Sequence, residues 1–243
     1  MGETETRRTP LRPQHRHQVV EQDAEVVSNE PVGGLYRRLG LRYTHEPFES
    51  HGFDDVVVLK FPAPGKSPHG PEHGSWHVRE YTVVRVDPRH RVLHVDFLLH
   101  GSGVASSWAQ AAQPGDLVKI IPTRMCRLLP EAERSFLFAD SSAWPAARRF
   151  LQMAPGTSNE LILHAQPAEE LAAAALGIKT LPLSAAPQES VSLSGLSTLS
   201  GQPAAFVWIA GESGWASTLR RHLLEHTPLQ REQIQFTGYW KST

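Results

Sequence analysis

Between Arg79 and Trp108 the chain carries two apolar strands, a turn and a glycine-bearing loop, an order that commits this region to a β-hairpin running into a helix. Tyr81 to Val86 alternates as a half-buried strand does, Asp87-Pro88-Arg89-His90 is turn chemistry, and Val92 to Leu99 reads as the return strand. Arg79 and Tyr81 stand at the hairpin's entrance. Its exit is His100-Gly101-Ser102-Gly103-Val104-Ala105-Ser106-Ser107-Trp108. Gly101 and Gly103 let the backbone approach a ligand closely. Ser106 or Ser107 is placed to cap a helix starting near Trp108, whose free N–H groups favour an anion. An anion site beside an Arg and a Tyr suits a dinucleotide, with phosphate for the guanidinium and helix end and a flat ring for the aromatic.

The rest of the chain divides by pattern. Ala24–Val27, Arg38–Tyr43, Val56–Phe61, the hairpin and Leu117–Ile121 are strands separated by turn signals and loops, as in a small antiparallel barrel. From Ser135 strands and helices alternate: strand Ser135–Ala139, helix Trp144–Met153, strand Glu160–Ala165, helix Ala168–Leu176, strand Ala204–Ala210, helix Ala216–His226 and strand Gln233–Tyr239. That alternation predicts an open parallel sheet covered by helices. Ser184–Gln202 reads as a long connection with room for one short strand. Residues 1–18 are polar, with four arginines among Pro, Thr and His, and read as a disordered tail. The expected organisation is therefore that tail, a barrel over 19–130 and an α/β domain over 131–243.

Composition excludes several classes. A net charge of −1 gives no global attraction to nucleic acid or an anionic membrane surface. The single cysteine, Cys126, excludes an internal disulfide and fits a reducing compartment. No apolar run is long enough to cross a bilayer, and the N-terminus lacks the apolar core of a signal peptide. The expected location is cytoplasmic.

Three linked motifs carry a resemblance. Arg79-Glu80-Tyr81-Thr82 precedes the hairpin; Asp96-Phe97-Leu98-Leu99-His100-Gly101-Ser102-Gly103-Val104-Ala105-Ser106-Ser107-Trp108 closes it; Pro114-Gly115-Asp116 follows. With Trp208-Ile209-Ala210-Gly211-Glu212 and the ending Thr237-Gly238-Tyr239-Trp240, the chain from about Val26 onward resembles the siderophore-interacting protein family. Its members are flavin-dependent ferric-siderophore reductases of the ferredoxin-reductase superfamily. The resemblance implies an antiparallel six-stranded flavin-binding β-barrel followed by a Rossmann-like α/β nucleotide-binding domain.

The resemblance also implies site roles. Arg79 pairs with the FAD pyrophosphate, Tyr81 lies against the isoalloxazine or ribityl chain, and Thr82 reaches the flavin N5 edge. Asp96 and His100 flank the cofactor, and the backbone of Gly101, Gly103, Val104, Ala105, Ser106 and Ser107 cradles the phosphates. Tyr239 and Trp240 shield the flavin's other face. Asp140, Ser142 and Glu212 are the candidates for a nicotinamide dinucleotide, NADPH or NADH, with a reduced ferredoxin the other possible donor. Lys60, Lys241 and Arg37 are the candidates for an anionic ferric siderophore.

Two stretches depart from the family pattern. Ile120-Ile121-Pro122-Thr123-Arg124-Met125-Cys126-Arg127 lacks the glycines of a Gly-Pro-x-Gly segment. Ala139-Asp140-Ser141-Ser142-Ala143-Trp144-Pro145-Ala146 keeps the aspartate, alanines and proline of Gly-Asp-Glu-Thr-Ala-x-Pro-Ala but loses its glycine and glutamate. Two alternatives stay open: a non-catalytic flavin- or siderophore-binding module with a degenerate nicotinamide site, suggested by the altered Ala139–Ala146 loop, and, within the enzyme class, a general NAD(P)H:flavin oxidoreductase that only substrate comparison separates.

Other motifs carry no chemistry. His69, His73 and His77 recur every fourth residue, but Gly70, Pro71 and Gly74 forbid the helix that would align them, so no metal site is assigned. Gly211-Glu212-Ser213-Gly214-Trp215 lacks the last glycine of a hydrolase nucleophile elbow.

Overall fold

The computed structural model describes residues 13–45, 47–62, 76–100, 103–155, 158–165, 179–182, 184–200 and 204–242. The chain forms two compact units, one of Gln14–Leu128 and one built on the residues from Leu129 onward.

In the first unit, strands β2 (Gln22–Val32), β3 (Tyr36–Tyr43), β4 (Val56–Phe61), β5 (His77–Asp87), β6 (Val92–Leu98) and β7 (Leu117–Pro122) close into an antiparallel barrel in the order β2-β3-β6-β5-β4-β7. Alternation sets the inside. Val57, Leu59 and Phe61 of β4 are fully buried, whereas Val56, Val58 and Lys60 between them are only half-buried. Each enclosed Leu or Phe contributes about 1.5–3 kcal/mol by leaving water.

The β5–β6 turn is fixed by Asp87, whose carboxylate accepts from the His90 amide (3.1 Å) and Nδ1 (2.7 Å). Gly115 has φ +99°, a conformation open to glycine. It lets the turn before β7 fold back on β2, where the Val26 amide donates to the Asp116 carbonyl (2.8 Å) and the Gly115 amide to the Val26 carbonyl (2.9 Å).

Two expectations need correction here. Residues 14–18 are not a disordered tail: β1 (Gln14–Arg16) pairs antiparallel with β8 (Met125–Arg127), and the His17 amide donates to the Arg124 carbonyl at 2.9 Å. The strand is polar, so only its distant partner reveals it. Residues 1–12 lie outside the described residues. The helix after the hairpin, α1, spans Val104–Ala111 and starts four residues ahead of Trp108. Trp108 is buried against the barrel core, which places it inside the helix rather than at its start.

In the second unit, β9 (Arg134–Asp140), β10 (Ser158–Ala165), β11 (Lys179–Pro182), β12 (Ala205–Glu212) and β13 (Ile234–Trp240) form a parallel sheet in the order β11-β10-β9-β12-β13. Helices α2 (Trp144–Met153), α3 (Pro187–Leu193) and α4 (Ser213–His226) join its strands. β12 is buried throughout, as expected for a central parallel strand covered on both faces. The strand order reverses between β9 and β12, the switch point at whose carboxyl ends open α/β sheets bind ligands. Ser184–Gln202, read as a connection, contains α3 and a 3-10 turn at Gly195–Thr198. Pro187 at its start and Glu189, whose Oε1 accepts from the Ala186 amide (2.9 Å), are the sequence signals that define α3. The expected helix Ala168–Leu176 falls outside the described residues.

Candidate functional site

β5 carries Arg79, Tyr81 and Thr82 along one end of the barrel. Antiparallel pairing sets His77, Arg79 and Tyr81 opposite Phe61, Leu59 and Val57, on the face that points inward farther along the strand. Tyr81 lies 4.1 Å from Phe97 between ring centroids, Phe97 lies 5.6 Å from Trp108, and Trp108 stacks on Phe61 at 4.9 Å. Phe61 in turn contacts His77 at 5.9 Å. An aromatic chain thus plugs the barrel end and seats α1 on it. Burial pushes the Tyr81 phenol well above its usual pKa, with the nearby Arg79 charge opposing, so the phenol stays neutral. Arg79 is exposed and donates to the Val78 carbonyl at 2.8 Å. Thr82 is buried, on the opposite face of β5 from Tyr81.

The loop before α1 brings the second half of the site. Gly103 occupies the N-cap position in extended backbone and supplies no side-chain acceptor, so among the described residues no N-cap side chain takes up the amides of the first turn. An eight-residue helix with an uncapped start presents partial positive charge there. The caps read into the sequence do other work. Ser106 is buried, and its hydroxyl accepts from the His100 amide (3.2 Å), tying the loop down, while Ser107 is exposed and donates its amide to Gly103. The His100 ring lies over Gly103, where an added Cβ would come within 3.0 Å of it. Val104 and Ala105 are half-buried against the barrel core. Gly101 lies outside the described residues.

The other end of α1 is held by a residue that sequence reasoning missed. Asn29 of β2 donates its side-chain amide to the carbonyls of Ala109 (2.8 Å) and Ala112 (2.7 Å). Arg37, a siderophore candidate, donates to Asn29 Oδ1 (2.8 Å) and to the Asn29 carbonyl (3.2 Å). Its guanidinium therefore supports α1. Asp96 is likewise engaged: Arg38, its partner across β3 and β6, grips both carboxylate oxygens at 2.6 and 2.7 Å. Asp96 faces outward from β6, on the side opposite its neighbour Phe97 and hence away from the Tyr81 ring. Lys60 makes an ion pair with Glu21 at 2.5 Å, and Lys119 reaches the same carboxylate at 3.5 Å. Lys241 is exposed.

In the α/β unit, Asp140, Ser142 and Glu212 meet at the switch point. Asp140 ends β9 and is buried. One carboxylate oxygen accepts from the Ser142 amide (2.8 Å) and hydroxyl and from the Ala143 amide (3.3 Å). The other accepts from the Glu212 amide and from Trp240 Nε1, both at 2.8 Å. Burial pushes this carboxyl above the usual carboxylate range, while the Ser142 and Trp240 donors pull the other way. Gly211 has φ +149°, and a Cβ there would collide with the Asp140 carboxylate. Glu212 caps α4 by accepting from the Trp215 amide (2.7 Å), a bond that lowers its pKa, and it also accepts from Ser242 (3.2 Å). The three candidates thus hold β9, β12, α4 and the end of β13 together. Tyr239 is half-buried and Trp240 exposes 41% of its surface while its indole N–H serves Asp140.

Comparison with known proteins accords with this architecture. The family model for siderophore-interacting FAD-binding domains matches residues 44–125, and that for siderophore-interacting proteins matches 132–243. The NADPH-dependent ferric-chelate reductase of Escherichia coli is 34% identical over 160 residues, 59% of this chain and 61% of that protein. The ferric vibriobactin reductase of Vibrio cholerae is 27% identical over 173 residues, 67% of this chain and 64% of that protein. The chain thus matches less than two thirds of the length of these relatives. A siderophore utilization protein from T. fusca superposes with a TM-score of 0.76 at 26% identity, covering 95% of this chain and 96% of that one.

Proposed function

The chain belongs to the siderophore-interacting protein family, and from that premise we propose that it is an FAD-dependent reductase that converts ferric siderophores to Fe(II), drawing electrons from NADPH. The observation that carries the reading is an exposed guanidinium beside a half-buried neutral phenol on β5, with the start of α1, where Gly103 offers no side-chain cap, packed on the same barrel core.

That arrangement fits FAD. A pyrophosphate dianion needs charge-assisted donors, which Arg79 and the α1 amides supply without a side-chain cap in competition. Tyr81 supplies a flat apolar face, and the Phe97–Trp108–Phe61 stack beneath it fixes its position. Bound FAD supplies the ability to take two electrons from a hydride donor and deliver them singly to iron. The chain's part is to bind, orient and exclude water, so no acid–base triad is needed.

For the donor, the relative named as NADPH-dependent supports NADPH over NADH or ferredoxin. Asp140, Ser142 and Glu212 act as the frame that shapes the switch point, since their polar atoms are engaged with the chain itself. Among the substrate candidates, Lys241 is the one we favour to meet an anionic siderophore, because Arg37 and Lys60 are held by Asn29 and Glu21.

The test is anaerobic turnover of a ferric siderophore with an Fe(II) trap, run separately with NADPH, NADH and reduced ferredoxin. Flavin bleaching by NADPH and recovery with stoichiometric Fe(II) is expected. Bound flavin that only ferredoxin reduces would move the donor. A protein that takes up no FAD would leave a binding module.

A further inference from the structure

The fold of the barrel unit brings together three side chains that no sequence motif joins. One ligand atom each of His17, Asp55 and Cys126 lies within 4.8 Å of the other two. They come from the segment after β1, the turn before β4, and β8. Asp55 and Cys126 are buried, at 0% and 1% exposure, and the His17 side chain is 6% exposed. His17 Nε2 lies 3.2 Å from Asp55 Oδ1, while Asp55 Oδ2 accepts from the Ser50 hydroxyl at 2.8 Å.

The surroundings add donors of the same kind. β1 pairs with β8 so that His15 lies opposite Cys126. The His15 ring is 3.8 Å from that of His51 and 5.3 Å from that of His17. Arg127, the nearby cation, donates to Asp54 at 2.6 Å from its guanidinium and 2.7 Å from its amide. Gly52 is the residue that permits the assembly. A Cβ there would collide with the Arg127 carbonyl and come within 3.1 Å of Cys126 Sγ, so a side chain would push the Asp55 turn off β8.

We propose that His17, Asp55 and Cys126 bind a single divalent cation of the zinc class, with the fourth position left to a small ligand. Imidazole, carboxylate and thiolate together are a tetrahedral zinc donor set, whereas Mg²⁺ and Ca²⁺ select oxygen ligands. Ligands 2.0–2.3 Å from such an ion stand roughly 3.4–3.7 Å apart, so the preformed cluster needs only a small contraction to close. As the sulfur–metal bond forms, the thiol proton passes to solvent and nothing is oxidised or reduced. The ion then ties β1 to the barrel body, and it stands apart from the flavin's electron path because zinc has no redox chemistry.

The probe is Co²⁺ added to the flavin-loaded full chain, read by its ligand-field bands in the red, where flavin does not absorb, with Zn²⁺ displacing it in competition. One Co²⁺ per chain with the strong bands of a tetrahedral site is expected. Cys126→Ser should abolish the thiolate-to-cobalt charge-transfer band in the difference spectrum, and Cys126→Ser and His17→Gln should each weaken uptake by about 100-fold or more. Circular dichroism and flavin content should stay unchanged in both variants. No stoichiometric uptake, or uptake with the same spectrum in Cys126→Ser, would overturn the assignment. The second result would put the metal on other histidines.

Discussion

Trp240 donates its indole N–H to the Asp140 carboxylate at 2.8 Å, joining the last described strand of the sheet to the strand two places away. The bond completes a set of five donors around a buried acid. Trp240→Phe keeps the ring and removes one donor, which should destabilise the α/β unit by about 1–3 kcal/mol. Urea unfolding followed by circular dichroism measures it. An unchanged midpoint would mean that solvent replaces the indole without loss.

Arg79 is exposed, so its removal should leave the barrel intact and act on the cofactor alone. A charge-assisted bond to phosphate contributes about 1.5–3 kcal/mol, so Arg79→Ala should weaken FAD binding roughly 10- to 100-fold, with Arg79→Lys in between. Flavin titration of the apoprotein gives the constants. Equal affinity in wild type and Arg79→Ala would remove the guanidinium from the site.

Asn29 acts through α1 rather than on any ligand. Asn29→Ala releases the carbonyls of Ala109 and Ala112 together with Arg37. The α1 amides should then exchange with deuterium faster by about tenfold or more, since two bonds of about 1 kcal/mol each are lost. FAD should bind more weakly although no contacting atom has changed. Faster exchange with unaltered affinity would uncouple the helix from the site.

His164 gives the α/β unit an acid limit. Its imidazole is buried, bonded to the Ser190 hydroxyl at 3.0 Å and set 4.4 Å from the Trp215 ring. Burial lowers its pKa from 6.5 to about 4. The folded state therefore prefers the neutral ring. The stability this gives is complete above the unfolded pKa and is lost as pH falls toward the folded one. Wild type should lose roughly 3 kcal/mol between pH 6.5 and 4 through this group. His164→Gln should show a correspondingly flatter profile in denaturant titrations across that window. Parallel profiles would show that the folded and unfolded imidazoles take up the proton alike, and would overturn the lowered pKa.

Local pattern made much of the fold legible. Val56–Phe61 and Trp144–Met153 are the residues that form β4 and α2, because alternation and helical spacing are short-range properties. What escaped was set at long range. Gln14–Arg16 is polar and becomes a strand only because Met125–Arg127 offers it an edge. The Arg38 grip on Asp96 spans 58 residues, so spacing alone could not tell that carboxylate from a ligand contact. His17, Asp55 and Cys126 are likewise scattered until β1 docks. The α3 helix is different: its signals, Pro187 and Glu189, are local, but they stand in a serine-rich context that also suits a connection.

The rings that seat α1 on the barrel are also part of the hydrophobic core. A ligand gripped by the start of that helix is therefore coupled to the packing that keeps the barrel folded. An empty barrel would forgo that added stability, so its resistance to unfolding would rise with the concentration of the cofactor.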